Sequence, residues 1–151
     1  QLVARGGGHF DMDTYANARS LDAANLAAGA LVRAVDAVMA GEVDNAFALV
    51  RPPGHHATRS RAMGFCLFNN IAIAAQHALD AHKLERVLIV DYDVHHGNGT
   101  QDIFYRTSHV LYFSTHQYPH YPGTGNWVEI GEGEGTGFSV NVPLPPRVGA
   151  A

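Results

Sequence analysis

Apolar residues recur at helical spacing in two parts of the chain. One face of a predicted first helix is formed by Leu21, Ala24, Ala28, Leu31, Val35 and Val38, which are three or four positions apart. Gly41 predicts the end of this helix, and Asp13 or Thr14 is the expected N-cap residue. A second helix is predicted by Phe68, Ile71, Ala75, Ala78 and His82, and a short third helix spans about residues 100–105.

Short apolar runs predict the strands. There are four of them, at Ala46–Val50, Arg86–Val90, Val110–Phe113 and Phe138–Val142. The runs are apolar on both faces, which is typical of strands buried on both sides within a parallel sheet. Because strands alternate with helices, the sequence predicts an α/β fold with a parallel sheet flanked by helices.

Composition narrows the class of protein. The chain has 151 residues, of which 46% are hydrophobic and 16% charged, a balance typical of an ordered globular domain. A net charge of -4 gives no electrostatic footprint for nucleic-acid binding, although it is compatible with a basic protein or polyamine as substrate. The single cysteine, Cys66, fits a reducing, cytoplasmic location and is expected to be packed in the interior. No apolar run is long enough for a membrane span.

Histidines cluster where three of the predicted strands end. In a parallel sheet the loops after the strands gather at one edge, where ligands bind. His55 and His56 follow the first predicted strand, His95 and His96 follow the second, and His116 follows the third. The sequence therefore predicts a functional site at this edge. His120 follows closely after His116 and belongs to the same cluster, whereas His9, His77, His82 and His109 are expected on the solvated surface.

The loop after the second predicted strand has the spacing of a metal site. Asp91, Asp93 and His95 are two positions apart, so in an extended segment their side chains point to the same side. One aspartate and one histidine can bind an ion and leave room for a third ligand and a water molecule, the layout of a catalytic zinc. His55 and His56 would then handle protons.

These motifs together resemble the histone deacetylase superfamily, which also includes acetylpolyamine amidohydrolases. The resemblance lies in Arg51–Ala57, Gly64–Ala72, Asp91–Thr100, Tyr121–Gly125 and Asn141–Leu144. The Pro-Pro-Gly-His-His form at 52–56 is similar to the class II and bacterial branch. The resemblance implies a fold of the arginase-deacetylase type and hydrolysis of an acyl-amide in an acetylated lysine peptide, a polyamine or a small amide.

The resemblance also implies roles for single residues. Asp93 and His95 would be zinc ligands, His56 the general acid-base residue and His55 a second, electrostatic histidine. Asp91 would orient His55, and Asn98 would contact His56. Walls and rim of an acyl-lysine tunnel would come from Phe65, Tyr121 and Asp13. A potassium site is implied at Asp91, Asp93, His95, Ser114 and Thr115, and part of a second at Phe104, Thr107 and Val110.

Two family motifs do not occur in the chain. They are the Ala-Gly-Phe-Asp stretch with the third zinc ligand and the Gly-Gly-Tyr stretch with the oxyanion-stabilising tyrosine. Residues 1–151 are therefore expected to form one partial deacetylase domain, its N-terminal and central part, inactive alone. A non-catalytic metal-binding or interaction module stays an alternative, and so does an arginase-like dimanganese hydrolase. The latter requires Asp-Ala-His-x-Asp, whereas Gly97 stands where the second aspartate is needed. The oligomeric state is left open.

Overall fold

The N-terminal part forms a hairpin followed by a long helix. The computed structural model describes residues 5–149, so positions 1–4 and 150–151 of the predicted domain lie outside it. Strands β1, Gly7–His9, and β2, Tyr15–Asn17, pair antiparallel, and helix α1 follows at Ser20–Met39. Within residues 5–149, no helix combines the length and the apolar character that crossing a membrane requires.

The prediction is confirmed at the C-terminal end of α1 and wrong at its N-terminal end. Gly41 ends the helix as predicted, with φ +70°, and the amide N–H of Glu42 donates to the carbonyl of Ala37 at 2.9 Å. Asp13 and Thr14 do not cap it, because the helix begins only after Arg19. Both residues lie between β1 and β2 in the hairpin that precedes the helix, so the predicted N-cap is wrong.

The second helix and the sheet follow the predicted order. Helix α2, Asn70–Asp80, is capped by the Asn69 side chain, which accepts from the Ala72 amide at 3.1 Å. Strands β3, Val87–Asp91, β4, Val110–Gln117, and β5, Ser139–Leu144, are parallel in the order β3-β4-β5. Helix α3, Asn98–Phe104, joins β3 to β4. The α/β class is confirmed, as are three of the predicted strands.

The run Ala46–Val50 is not a strand. Phe47 and Leu49 are 87% and 88% exposed. Ala48 and Val50 line a cavity together with Val90, so the run lies beside β3 without pairing to it. The apolar pattern predicts burial but says nothing about a hydrogen-bonding partner, and here the backbone does not reach β3.

One face of the sheet carries the core. Helices α2 and α3 pack on it, and its buried members are Ala72, Ala75, Ile89, Phe104, Val110 and Tyr112. On the other face Leu88 and Val90 are 59% and 53% exposed. The prediction of strands buried on both faces is therefore wrong for β3. Across the sheet, Asp91 at the end of β3 stands in register with Ser114 and Asn141, which lie within β4 and β5.

Candidate active site

Asp91, the last residue of β3, holds His55. The Oδ2 atom of Asp91 lies 3.0 Å from Nδ1 of His55 and accepts from the Tyr112 hydroxyl at 2.9 Å. Burial by itself would raise the pKa of Asp91, but the hydrogen bond and charge of His55 and the bonds from Asp93 and Tyr112 lower it overall. An ionised Asp91 places the His55 proton on Nδ1, so Nε2 becomes the accepting nitrogen.

His56 is buried and neutral. Its ring is 4% exposed, and Nδ1 lies 2.8 Å from the amide oxygen of Asn98, the first residue of α3. Burial lowers the pKa of His56 to about 4, and the neighbouring His55, with ring centroids 4.0 Å apart, lowers it as well. Because Nδ1 donates to Asn98 and the ring is uncharged at neutral pH, the Nε2 atom of His56 carries a free lone pair.

Asp93 and His95 lie beyond β3 and face each other. Asp93 Oδ1 accepts from the backbone amide of His95 at 2.7 Å and lies 3.0 Å from its Nδ1. The side chains are 49% and 38% exposed, so both can turn toward one ion. A carboxylate oxygen and an imidazole nitrogen fit zinc. Within residues 5–149, no further histidine, cysteine or carboxylate completes a three-ligand group with this pair.

A cavity of about 430 Å³ brings the two histidines and the donor pair together. It is lined by Asp13, Arg51, Pro53, His55, His56, Gly64, Phe65, Asp93, His95 and Tyr121. Tyr121 meets the ring of His56 nearly edge-on, with centroids 5.1 Å apart. The three residues expected around a tunnel, Phe65, Tyr121 and Asp13, thus line one cavity with the polar groups. Phe65 adopts φ +66°, a left-handed conformation that is costly for a bulky residue.

Two glycines permit this close packing. A Cβ atom on Gly97 would collide with the Asp91 carboxylate and the Tyr112 hydroxyl and lie 3.1 Å from His55 Nδ1. A Cβ atom on Gly64, where φ is +58°, would collide with the His56 ring. The glycines in these motifs therefore serve the contacts of the histidines rather than loop flexibility.

His96 and His116 do not reach the cavity. Both are buried, 1% and 2% exposed, and their rings lie 4.7 Å apart. His116 belongs to β4 itself, since the strand continues to Gln117, and its Nε2 hydrogen bonds to the carbonyl of Gly125 at 2.9 Å. Of the three loops predicted to supply histidines, two line the cavity and the third supplies a structural histidine.

Glu129 anchors the loop that follows Tyr121, a role that no sequence spacing indicates. Its carboxylate accepts from the amides of Gly125 and Asn126 at 3.0 and 2.9 Å and from the side chain of Gln101 at 2.7 Å. Burial would raise the pKa of Glu129, but these donors lower it overall. The resulting carboxylate holds the backbone at Gly125 and Asn126, shortly after the cavity residue Tyr121. Arg51 is also a cavity residue missed as a candidate, although the family motif includes it.

Three further residues singled out in the sequence are Cys66 and two of those implied for potassium, Ser114 and Thr115. Cys66 is fully buried, and burial raises the pKa of its thiol to about 11, so it is packed as expected and unsuited to be a nucleophile. Ser114 pairs with Asp91 in register and its hydroxyl hydrogen bonds to His116 Nδ1 at 2.9 Å. Thr115 follows it in β4.

Comparison with known proteins shows the family to which this chain belongs. The model of the histone deacetylase domain matches residues 2–151. A probable deacetylase of Archaeoglobus fulgidus is 49% identical over 149 residues, 99% of this chain and 41% of the relative. A histone deacetylase-like amidohydrolase of Pseudomonas aeruginosa is 50% identical over 151 residues, 98% of this chain and 39% of the relative.

Two further comparisons extend this picture. The polyamine deacetylase HDAC10 of Rattus norvegicus is 52% identical over 144 residues, 89% of this chain and 23% of the relative. The crystal structure of the HDA15 HD domain superposes with a TM-score of 0.90 at 51% identity, covering 94% of this chain and 40% of that one. The chain thus shares the fold of the HDA15 HD domain and spans between 23% and 41% of the lengths of the proteins compared.

Proposed function

Because this chain belongs to the histone deacetylase family, we propose that it supplies part of a zinc-dependent active site for acyl-amide hydrolysis. One observation carries the proposal. The facing Asp93–His95 pair and the neutral, buried His56 line the same cavity, so a metal-binding pair and a proton acceptor share one space.

Asp93 and His95 are the residues that would hold the zinc. Their donors, a carboxylate oxygen and an imidazole nitrogen 3.0 Å apart, suit this ion. When bound, zinc supplies Lewis acidity, which polarises an amide carbonyl and makes a water molecule more acidic. Two protein ligands bind the ion more weakly than the three of an ordinary catalytic site, so we expect the 151-residue chain alone to hold zinc weakly.

His56 is the residue proposed to move the proton. It accepts a proton at Nε2 from the attacking water and then donates it to the departing amine. Its contact with Asn98 keeps the ring oriented through both steps. His55 donates its Nδ1 hydrogen to the ionised Asp91. The negative charge of this pair would stabilise His56 while His56 carries the transferred proton.

The lining of the cavity supports a long, thin amine substrate. Phe65 and Tyr121 offer aromatic surface to an aliphatic chain, and the Asp13 carboxylate beside them can attract a cation or a backbone amide. Acetyl-lysine peptides and acetylated polyamines both have this form, and relatives are named for histone and polyamine deacetylation. We further propose potassium beside the end of β3, with Asp91, Asp93, His95, Ser114 and Thr115 as its residues.

A chimera tests the proposed function. This chain replaces the matched 39% of the Pseudomonas aeruginosa amidohydrolase, and hydrolysis of an acetyl-lysine peptide is measured with zinc present. We expect a rate within about tenfold of the parent, and a rate at least about 100-fold lower for the 151-residue chain alone, since loss of one oxyanion donor has an effect of that size. A folded, zinc-containing chimera without hydrolysis would overturn the proposal.

A further inference from the structure

A second group of metal-ligand side chains lies at the ends of two helices and shares no residue with the cavity. Asp36 stands near the end of α1, His77 in the last turn of α2, and His82 just after α2. Within residues 5–149, these three form the one trio of histidine, cysteine or carboxylate side chains whose ligand atoms all lie within 4.8 Å of one another. The two histidines were expected on the solvated surface, but both turn toward α1.

The contacts converge on a single oxygen. Nε2 of His77 lies 2.6 Å from Oδ1 of Asp36, and Nε2 of His82 lies 2.7 Å from the same atom. The two imidazole rings are nearly perpendicular, with centroids 5.4 Å apart. Both histidines thus present the same nitrogen to one point between the helices.

The charge at this position favours a cation. Asp36 lies in the last turn of α1, where the helix dipole disfavours a negative charge, and this turn contains no basic residue. Hydrogen bonds from His77 and His82 lower the pKa of Asp36, so its carboxylate is ionised and can serve as a metal ligand. Each Nε2 atom can donate an N–H hydrogen to Asp36, and a metal ion would replace these two hydrogens and use the nitrogen lone pairs instead.

We propose that Asp36, His77 and His82 bind a divalent transition metal of the zinc class and so link α1 to α2. Two imidazole nitrogens and one carboxylate oxygen form a donor set for zinc, nickel or cobalt, whereas magnesium and calcium prefer oxygen ligands alone. The side chains are 36%, 27% and 24% exposed in the order given, so water can complete the coordination.

The geometry needs only a small adjustment. Tetrahedral zinc with bonds of about 2.1 Å keeps its ligand atoms about 3.4 Å apart. The present nitrogen–oxygen distances of 2.6 and 2.7 Å must each widen by about 0.7 Å, which side-chain rotation can supply on a partly exposed surface. The metal would then hold the ends of two helices whose packing covers one side of the core.

Thermal unfolding of the 151-residue chain with zinc chloride tests this site apart from the cavity. The assay uses the Asp93→Asn/His95→Ala variant, which lacks the two residues proposed to bind zinc in the cavity. Zinc at about 100 times its Kd is expected to raise Tm by roughly 5 to 10 °C, whereas the same concentration of magnesium does not. Adding His77→Gln and His82→Gln, or Asp36→Asn alone, is expected to abolish the shift.

The matched control is Asp80→Asn. Asp80 is a carboxylate at the end of α2 that hydrogen bonds to Gln76 at 3.0 Å and does not belong to the trio. This control removes the same charge and should keep the zinc-induced shift. No zinc-induced shift in the Asp93→Asn/His95→Ala variant, or a shift that persists in Asp36→Asn, would overturn the proposal. Neither result would bear on hydrolysis at the cavity.

Discussion

Gly97→Ala is expected to lower the free energy of unfolding by about 3 kcal/mol or more. The added methyl group would occupy the space where the Asp91 carboxylate, the Tyr112 hydroxyl and His55 Nδ1 meet. Overpacking of an interior typically costs about 1–3 kcal/mol, and loss of a hydrogen bond to a charged group, here the ionised Asp91, about 1.5–3 kcal/mol. Denaturant unfolding of the 151-residue chain measures the difference.

Gly29→Ala is the control for this substitution. Gly29 lies within α1, and a Cβ atom there meets nothing within 4 Å. Alanine has the higher helix propensity, so this variant should be stabilised by up to about 1 kcal/mol. Equal stability of Gly97→Ala and the parent chain would show that the close contact of Gly97 with the Asp91–His55 pair does not exist in solution.

His56→Ala in the chimera is expected to lower kcat for the acetyl-lysine peptide by about 100- to 10,000-fold. This is the usual contribution of a positioned acid-base residue. KM and zinc content should change little, because His56 is assigned to proton transfer rather than to binding the substrate or the ion. Steady-state kinetics with a zinc assay on the same preparation separates these effects.

His109→Ala serves as the matched histidine variant. His109 is exposed and precedes β4, at the end of the strand opposite the cavity. Its removal should leave kcat within about twofold of the chimera. If His56→Ala kept more than a tenth of the rate, His56 would not be the residue that moves the proton.

Local patterns in the sequence predicted most of the sheet and the helices. The runs that became β3, β4 and β5 are short and apolar, and the spacing of Ala24 and Ala28 marks the buried side of α1. Gly41 predicted a helix end because it can adopt positive φ at low cost. Residues that follow parallel strands gather at one edge of the sheet, so the position of Asp91 and of the loop after it could be foreseen. His55 lies beside Asp91 although the run before it is not a strand.

The features that escaped prediction depend on distant parts of the chain. Ala46–Val50 has the composition of a buried strand, but a strand also needs a neighbour at hydrogen-bonding distance, and that depends on tertiary structure. Asp36 contacts His77 and His82 across separations of 41 and 46 residues, which no local spacing reveals. The burial of His116 depends on how far β4 extends. The apolar run Val110–Phe113 did not indicate that the strand continues to Gln117.

Anomalous X-ray diffraction at the zinc edge, on zinc-soaked crystals of the 151-residue chain, tests the central claim most directly. That claim is a zinc position between Asp93 and His95 in the cavity of His56. We predict an anomalous peak about 2.0–2.2 Å from a carboxylate oxygen of Asp93 and a ring nitrogen of His95. Zinc peaks confined to other positions, such as Asp36, with none at this pair, would contradict it.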